Sequence, residues 1–412
     1  MKFATWLSCD RLKLILVKEN NVNKNFPPWP SYTEHEIDAV SEVLRSGKVN
    51  QWTGNQIASF EKEYTEYFGC KHAVALANGT VALDIALRVL DIGVDDEVIV
   101  TPRSFVASAS SIALAGARPV FVDIDPDSQN ICDKNIRAAI STNTKAILVV
   151  HLAGMPANMT EIMKTAREFD LKVIEDCAQA HGARWEGQHV GTIGDIGTWS
   201  FCQDKILTTG GEGGMVTTNN SELWKQVWSF KDHGKNYDLM HAPSKDNTNY
   251  KWVHDSIGTN ARMTEMQAAI GRIQLSRLDD WHSKRLKNAT RIWDACRQID
   301  WLRVSEIDER ATHAAYKCYV FVDTAKLNPK FDRNAILTML REQNIPALQG
   351  SCSELYKEGS FNNENCLKVG QLSTCKELGD TSIMFMVHPT LRDEDMDYII
   401  AALSNVDRQV AA

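Results

Sequence analysis

No sequence motif in this chain pairs its cysteines. Ten are spread over 412 residues with no C-x-x-C pair, and the nearest two, Cys366 and Cys375, have a poor spacing for a zinc site. Thiols so scattered read as reduced core filler rather than a disulfide framework. A basic excess is missing as well. The formal net charge is -8, which argues against nucleic acid or an anionic membrane surface as the main partner. There is no helix-turn-helix pattern, no basic stripe, no internal repeat and no low-complexity tract. No apolar run is long enough to span a bilayer. The early patch Leu12–Val17 is bordered or interrupted by Asp10, Arg11 and Lys13, too short and too charged for a signal peptide. Residues 1–25 are expected to form an irregular N-terminal extension, and the protein is expected to be cytoplasmic.

What is present is an ordinary globular composition, 43% hydrophobic and 24% charged, with length for two or three domains. Pro27-Pro28-Trp29-Pro30 is a rigid, extended entry. Thr33 and Glu36 have capping-box spacing before a helix with Ile37, Val40, Val43 and Leu44 on one face. A second amphipathic helix carries Ile57, Phe60, Tyr64 and Tyr67 and stops at Gly69. From His72 short apolar runs alternate with helical stretches to about residue 230, which predicts a mostly parallel sheet wrapped by helices. A polar stretch, Asp232 to Asn249, is expected to be a long loop. Helical periodicity from Met263 to about Ile299 predicts a connector into a smaller C-terminal domain with strands at Tyr316–Val322 and Ser382–Val387 and helices at Asp332–Gln343 and Glu394–Leu403. The expected division is a large domain over 26–275 and a small one over 276–412.

Chemistry concentrates at Thr198–Val216. A short apolar run is followed by Lys205, then by Gly210-Gly211-Glu212-Gly213-Gly214 and a second apolar run. A lysine held between buried strands can lose its proton and act as a nucleophile, although a loop lysine beside turn glycines has the same pattern. Asn78-Gly79-Thr80 follows a strand and opens a helix, where free N–H groups and the helix dipole suit a phosphate. Asn-Gly followed by Thr is also simply a good turn and cap. Asp176 stands just past a strand's carboxyl end, the edge where open parallel sheets bind ligands, with Gln179 close behind; alternatively Asp176 caps the next turn. His181 reads as structural, and His151 is a further strand-end candidate. Taken together, Lys205, Asp176, Asn78-Gly79-Thr80, the Ser200 hydroxyl and the Phe105 ring would hold a flat, phosphorylated pyridine bearing an aldehyde. Pyridoxal 5'-phosphate is that molecule.

Longer ordered motifs carry a resemblance. They are Phe60-Glu61 after Gly54, Asn78-Gly79-Thr80-Val81-Ala82-Leu83, the run Val173–Ala183, Ser200-Phe201 with Lys205, Gly211-Glu212-Gly213-Gly214, and Asn260 through Ala269. In these the chain resembles the DegT/DnrJ/EryC1/StrS family of sugar aminotransferases from about Pro27 to Leu403. The resemblance implies fold type I, a large α/β domain with a mostly parallel seven-stranded sheet plus a smaller C-terminal α+β domain. It implies Lys205 as the Schiff-base and proton-moving lysine, Asp176 at the pyridine nitrogen, Gln179 at the ring hydroxyl and Phe105 on the ring face. Gly79, Thr80 and Ser200 would hold the phosphate, and Asn260 of the neighbouring subunit would complete it in a homodimer with shared sites. The implied reaction moves an amino group from L-glutamate to a nucleotide-linked keto-deoxy sugar. Two departures bear on the acceptor: the length of the Asp232–Val253 loop, and Phe385-Met386-Val387-His388-Pro389. A cyclitol or other free ketone is the alternative acceptor, and a non-enzymatic regulator a third reading. Arg103, Lys235, Lys251 and Lys317 are candidates for a cationic nucleotide pocket. Glu212 reads as structural.

Overall fold

The computed structural model describes residues 24–242, 252–361 and 365–410. The expected extension over 1–25 lies outside these but for its last two residues, and so does Lys251.

The first helix, Glu34–Ser46, begins with the capping box expected of Thr33 and Glu36 and ends at Gly47 with φ 68°, a conformation glycine adopts without a Cβ penalty. In the second, Gln56–Phe68, Ile57, Phe60, Tyr64 and Phe68 are buried at helical spacing. Its free N-terminal N–H groups find a partner far away in sequence: Gln56 and Ile57 donate to the buried Glu265 carboxylate. Gly54 is required there, because a Cβ would lie 2.2 Å from a Glu265 oxygen.

The central sheet has eight strands in the order His72–Leu76, Gly214–Thr218, Ile196–Ser200, Lys172–Asp176, Thr144–Val150, Glu97–Val100, Arg118–Val122 and Leu367–Val369. Only Gly214–Thr218 runs against the rest. The middle strands are buried on both faces, as Glu97–Val100 and Thr144–Val150 show, the pattern of a parallel sheet covered by helices. Every parallel strand therefore delivers its carboxyl end to one edge of the molecule.

The fold class is as expected, with one strand more. The eighth, Leu367–Val369, comes from the C-terminal part of the chain and pairs with Arg118–Val122 at the sheet's edge. Its three residues are only half-buried or exposed, so it carries no apolar run to announce it. The expected connector is two helices, Glu265–Leu275 and Leu278–Cys296. Apolar spacing continues across the break, but Arg277 there turns to donate to Glu36 and Thr33 of the first helix. The polar stretch contains a short helix, Tyr237–His241, and the last helix extends to Val410.

A second, antiparallel sheet joins Leu302–Arg303, Cys318–Val322, Ser382–Phe385 and Ala347–Leu348. It packs with the helices Leu278–Cys296, Arg333–Glu342 and Asp393–Val410 around Ile292, Val320, Leu340, Ile383 and Leu403. The strand Cys318–Val322 lifts the residues just before it, Tyr316 and Lys317, over the carboxyl edge of the large sheet. No helix of the described residues is long and apolar enough to cross a membrane.

Candidate active site at the carboxyl edge of the sheet

A cleft of about 1090 Å³ opens where the two sheets meet. Gly79, Thr80, Phe105, Asp176, Gln179, Ser200 and Lys205 all line it. Seven residues drawn from four strand ends thus converge, as the doubly wound topology requires.

At one end the helix Gly79–Val89 points its N-terminus into the cleft, with the Asn78 side chain accepting from the Val81 N–H at 2.9 Å. The strand Ile196–Ser200 passes so close that a Cβ on Gly79 would sit 2.6 Å from the Ser200 Cβ and 3.0 Å from its Oγ. Gly214 closes the same corner, since its Cβ would meet the Asn78 carbonyl oxygen at 2.3 Å. These glycines let N–H groups and the Ser200 hydroxyl share a pocket fit for a phosphate.

The middle of the floor is acidic. Asp176 is 6% exposed; its carboxylate accepts from the Ser108 hydroxyl at 2.8 Å and from the Ala178 N–H at 3.1 Å. Ser104 in turn pairs with Ser108 at 2.8 Å. Sequence reasoning missed Ser108, although Ser104 and Ser108 stand at i, i+4. The Gln179 Oε1 accepts from the Ala153 N–H at 2.8 Å, which fixes the amide and leaves its NH2 as the donor toward the cleft. Phe105 stands at the mouth, 65% exposed.

Lys205 is half-buried. Its Nζ lies 5.3 Å from the centre of the Tyr316 ring, and its carbonyl oxygen accepts from the Trp29 indole at 2.9 Å. The Tyr316 hydroxyl donates to Asp204. Burial would raise the Asp204 carboxyl, but Lys205 and Tyr316 hold it below the ordinary value. Trp29, Asp204 and Tyr316 are not marked by any local pattern; only the packing of the chain brings them to the lysine.

Other candidates fall elsewhere. Asn260 is exposed and lines no part of its own chain's cleft; its backbone bridges to Asp232. His151 is buried, its Nδ1 accepting from the Ala157 N–H and its Nε2 facing Glu175 at 3.0 Å. It braces strand ends rather than lining the cleft. Glu175 also accepts from Gly191, Ile193 and Gly194, so the grouping of His151, Glu175 and Cys177 is a satisfied hydrogen-bond hub. His181 packs on Trp199 and Phe201; burial, then Lys205 and Arg285, push its imidazole down to about 3, which keeps it neutral. Of the pocket cations, Arg103 is fully buried and bonded to Gln129 and Ser353. Lys235 pairs with Asp232 at 3.3 Å and with the Trp52 ring. Only Lys317 among those described reaches the cleft. Glu212, read as structural, also lines the cleft, while its carbonyl accepts from Thr209 and Gln267.

One cleft thus holds a corner fit for a phosphate, a buried acid and a lysine amine, so the residues present fit pyridoxal phosphate. Comparison with known proteins agrees. Residues 30–404 match the DegT/DnrJ/EryC1/StrS aminotransferase family. The chain is similar to an aminotransferase from Psychrobacter cryohalolentis, with 48% identity and a TM-score of 0.92 over 94% of this chain and 100% of that one. It is 41% identical to a GDP-perosamine synthase of Escherichia coli O157:H7 over 62% of this chain and 67% of the relative. It is 38% identical to an L-glutamine:2-deoxy-scyllo-inosose aminotransferase of Streptomyces kanamyceticus over 65% and 63%. With a family match over most of its length, the chain belongs to the DegT/DnrJ/EryC1/StrS aminotransferase family and is a pyridoxal-phosphate-dependent aminotransferase.

Proposed function

We propose that this aminotransferase moves an amino group from L-glutamate to a nucleotide-linked keto-deoxy sugar, giving a nucleotide-linked amino sugar. The observation that carries the reading is the cleft itself. At about 1090 Å³ it is larger than a cofactor alone needs and lies at the upper end of ordinary ligand sites. A relative that makes GDP-perosamine supports the nucleotide-linked acceptor. The cyclitol-related enzyme among the relatives favours the second reading, in which the same chemistry acts on a free cyclic ketone.

In this reading the cofactor, when bound, supplies the carbon that carries the amino group and a ring that accepts the electron pair. The chain's own groups do the rest. Gly79, Thr80 and Ser200 hold the phosphate. Asp176, oriented by Ser108 and the Ala178 N–H, keeps a proton on the ring nitrogen. Gln179 would donate to the ring hydroxyl, and Phe105 would cover a ring face. Lys205 would hold the cofactor through its Nζ and, when that amine is free, would serve as the base and acid that takes up and returns the substrate proton. Trp199 and Phe201, fully buried beneath, keep water from the floor.

Asn260 completes the phosphate site of a second copy in a homodimer. Its exposure supports this, as does the apolar surface just ahead of it, where Trp252 is 83% and Ile257 82% exposed. Mixing Lys205→Ala chains with Asn260→Ala chains should restore activity in hybrid dimers; silence after proven subunit exchange would count against shared sites. A panel of UDP-, dTDP- and GDP-linked keto sugars beside free ketones tests the acceptor. Turnover of free cyclic ketones alone would replace the first reading by the second.

A further inference from the structure

The wall facing the cofactor's place carries more positive charge than it balances. Lys317 lines the cleft. Its Nζ lies 3.7 Å from Asp204, 3.3 Å from the Met386 sulfur and 4.5 Å from the centre of the Tyr316 ring, the same ring that Lys205 faces. Behind it Arg285 is fully buried. Its Nε and Nη2 have no partner, and its Nη1 makes only a 3.5 Å contact to the Tyr316 carbonyl. Asp204 is the one carboxylate that pairs with this group among the described residues, and it is already bonded by Tyr316. With Lys205 taken up by the cofactor, two cations, the fully buried Arg285 and the mostly buried Lys317, thus share a single carboxylate that is itself half exposed, an arrangement that is costly until a further anion enters.

We propose that Lys317, backed by the field of Arg285, seats the α-carboxylate of the amino donor; this rests on the aminotransferase reading of the cleft. The cofactor's phosphate has its own cradle at Gly79 and Ser200. A nucleotide's diphosphate hangs from a sugar carbon remote from the ketone. An α-carboxylate is two bonds from the nitrogen that must reach Lys205, so it is the anion that has to arrive beside that lysine. Burial, with Arg285 and Lys205, brings the Lys317 ammonium down to about 8 against the pull of Asp204, so a seated carboxylate also holds its proton more firmly.

Of the other groups facing Lys317 only Arg285 comes near that value, and Lys317→Met, which keeps Arg285, separates the two. Asp204 is held low and Tyr316 well above its ordinary value. Arg285 is lowered by burial only to about 9, and His388 is pushed by burial, Arg285 and Lys317 down to about 3. Lys205 is occupied in the holoenzyme.

The test compares wild-type, Lys317→Met and Lys317→Arg holoenzymes with three ligands: L-glutamate, its α-amide and glutarate. Glutarate binding is read by calorimetry, and donor reaction by the cofactor's absorption. In Lys317→Met, glutarate affinity and donor KM should worsen by at least about tenfold, with the preference for glutamate over its α-amide lost and the ketone KM unchanged. Lys317→Arg should recover most of the binding. Wild-type glutarate binding should weaken as pH rises through about 8, and the Met variant should be flat. Unchanged glutarate binding in Lys317→Met, or an effect confined to the ketone, overturns the proposal. A wild-type enzyme whose cofactor ignores every amino acid would instead overturn the functional reading.

Discussion

The two walls of the cleft are built on opposite plans. On the large-sheet wall the polar groups are already placed by their neighbours: Asp176 by Ser108 and Ala178, Gln179 by Ala153, and the Asn78 cap by Val81. On the wall beside the smaller sheet Arg285 has two unpartnered nitrogens, and Lys317 rests against an aromatic face and a sulfur. The first wall is preorganised for one permanent occupant. The second keeps charge in reserve for ligands that come and go. Preorganisation suits a cofactor, because donors fixed in advance need no rearrangement at the moment of reaction. A site that must release its ligands after each half-reaction gains from groups that are satisfied only while the ligand is there.

The contrast can be broken most severely at Lys205. Lys205→Ala should lower turnover by on the order of 10^4-fold or more, measured with saturating cofactor; full activity would remove the centre of the site. A smaller loss is expected from Gly79→Ala, whose new methyl has Ser200 at 2.6 Å. Cofactor retained through gel filtration should fall by about tenfold or more while circular dichroism stays native, and unchanged retention would show that this corner does not hold the phosphate. A third measurement concerns stability. His181 and His313 are buried and held near 3, in each case chiefly by burial. Both are neutral in folded and unfolded chains above pH 6.5. Below that the unfolded chain takes up protons that the folded one refuses, so stability is lost as pH falls from about 6.5 toward 3, by roughly 1.4 kcal/mol per unit for each histidine. Denaturant unfolding at pH 7.5 and 5.5 checks this, and equal stabilities would contradict it. The smallest effect is expected from Trp29→Phe, which keeps a ring against Arg285 and His388 but loses the bond to the Lys205 carbonyl. About 1 kcal/mol of positioning should appear as a several-fold drop in kcat with KM unchanged. A change in KM alone would mean that Trp29 shapes binding instead.

Much of the first wall is legible in the residue order. Its parts are local: a strand end, a turn and a helix start must satisfy their own backbone groups, and Asn78-Gly79-Thr80 or Asp176 through Gln179 show the solution in consecutive residues. The capping box at Thr33 and the glycine stop after Phe68 are visible for the same reason. The edge strand Leu367–Val369 is not, because half-buried residues at an edge need no apolar run. Nor does the apolar period reveal the break at Ser276-Arg277, since that break serves a contact with Glu36 some 241 residues away.

The chain's residue order alone determined the strand–helix alternation, the lysine among its glycines and the acid at a strand end, each set by short-range rules of pattern and hydrogen bonding. Tertiary structure alone decided which charges meet them. Trp29, Arg285, Tyr316 and Lys317 come from distant segments, and no spacing in the chain says that they meet. It also turned His151 and Arg103 inward to partners that occupy them, and it left Asn260 exposed outside its own cleft. Whether a titratable side chain faces a cleft or a buried partner depends on what packs against it, and that is settled only when the two sheets close on one another.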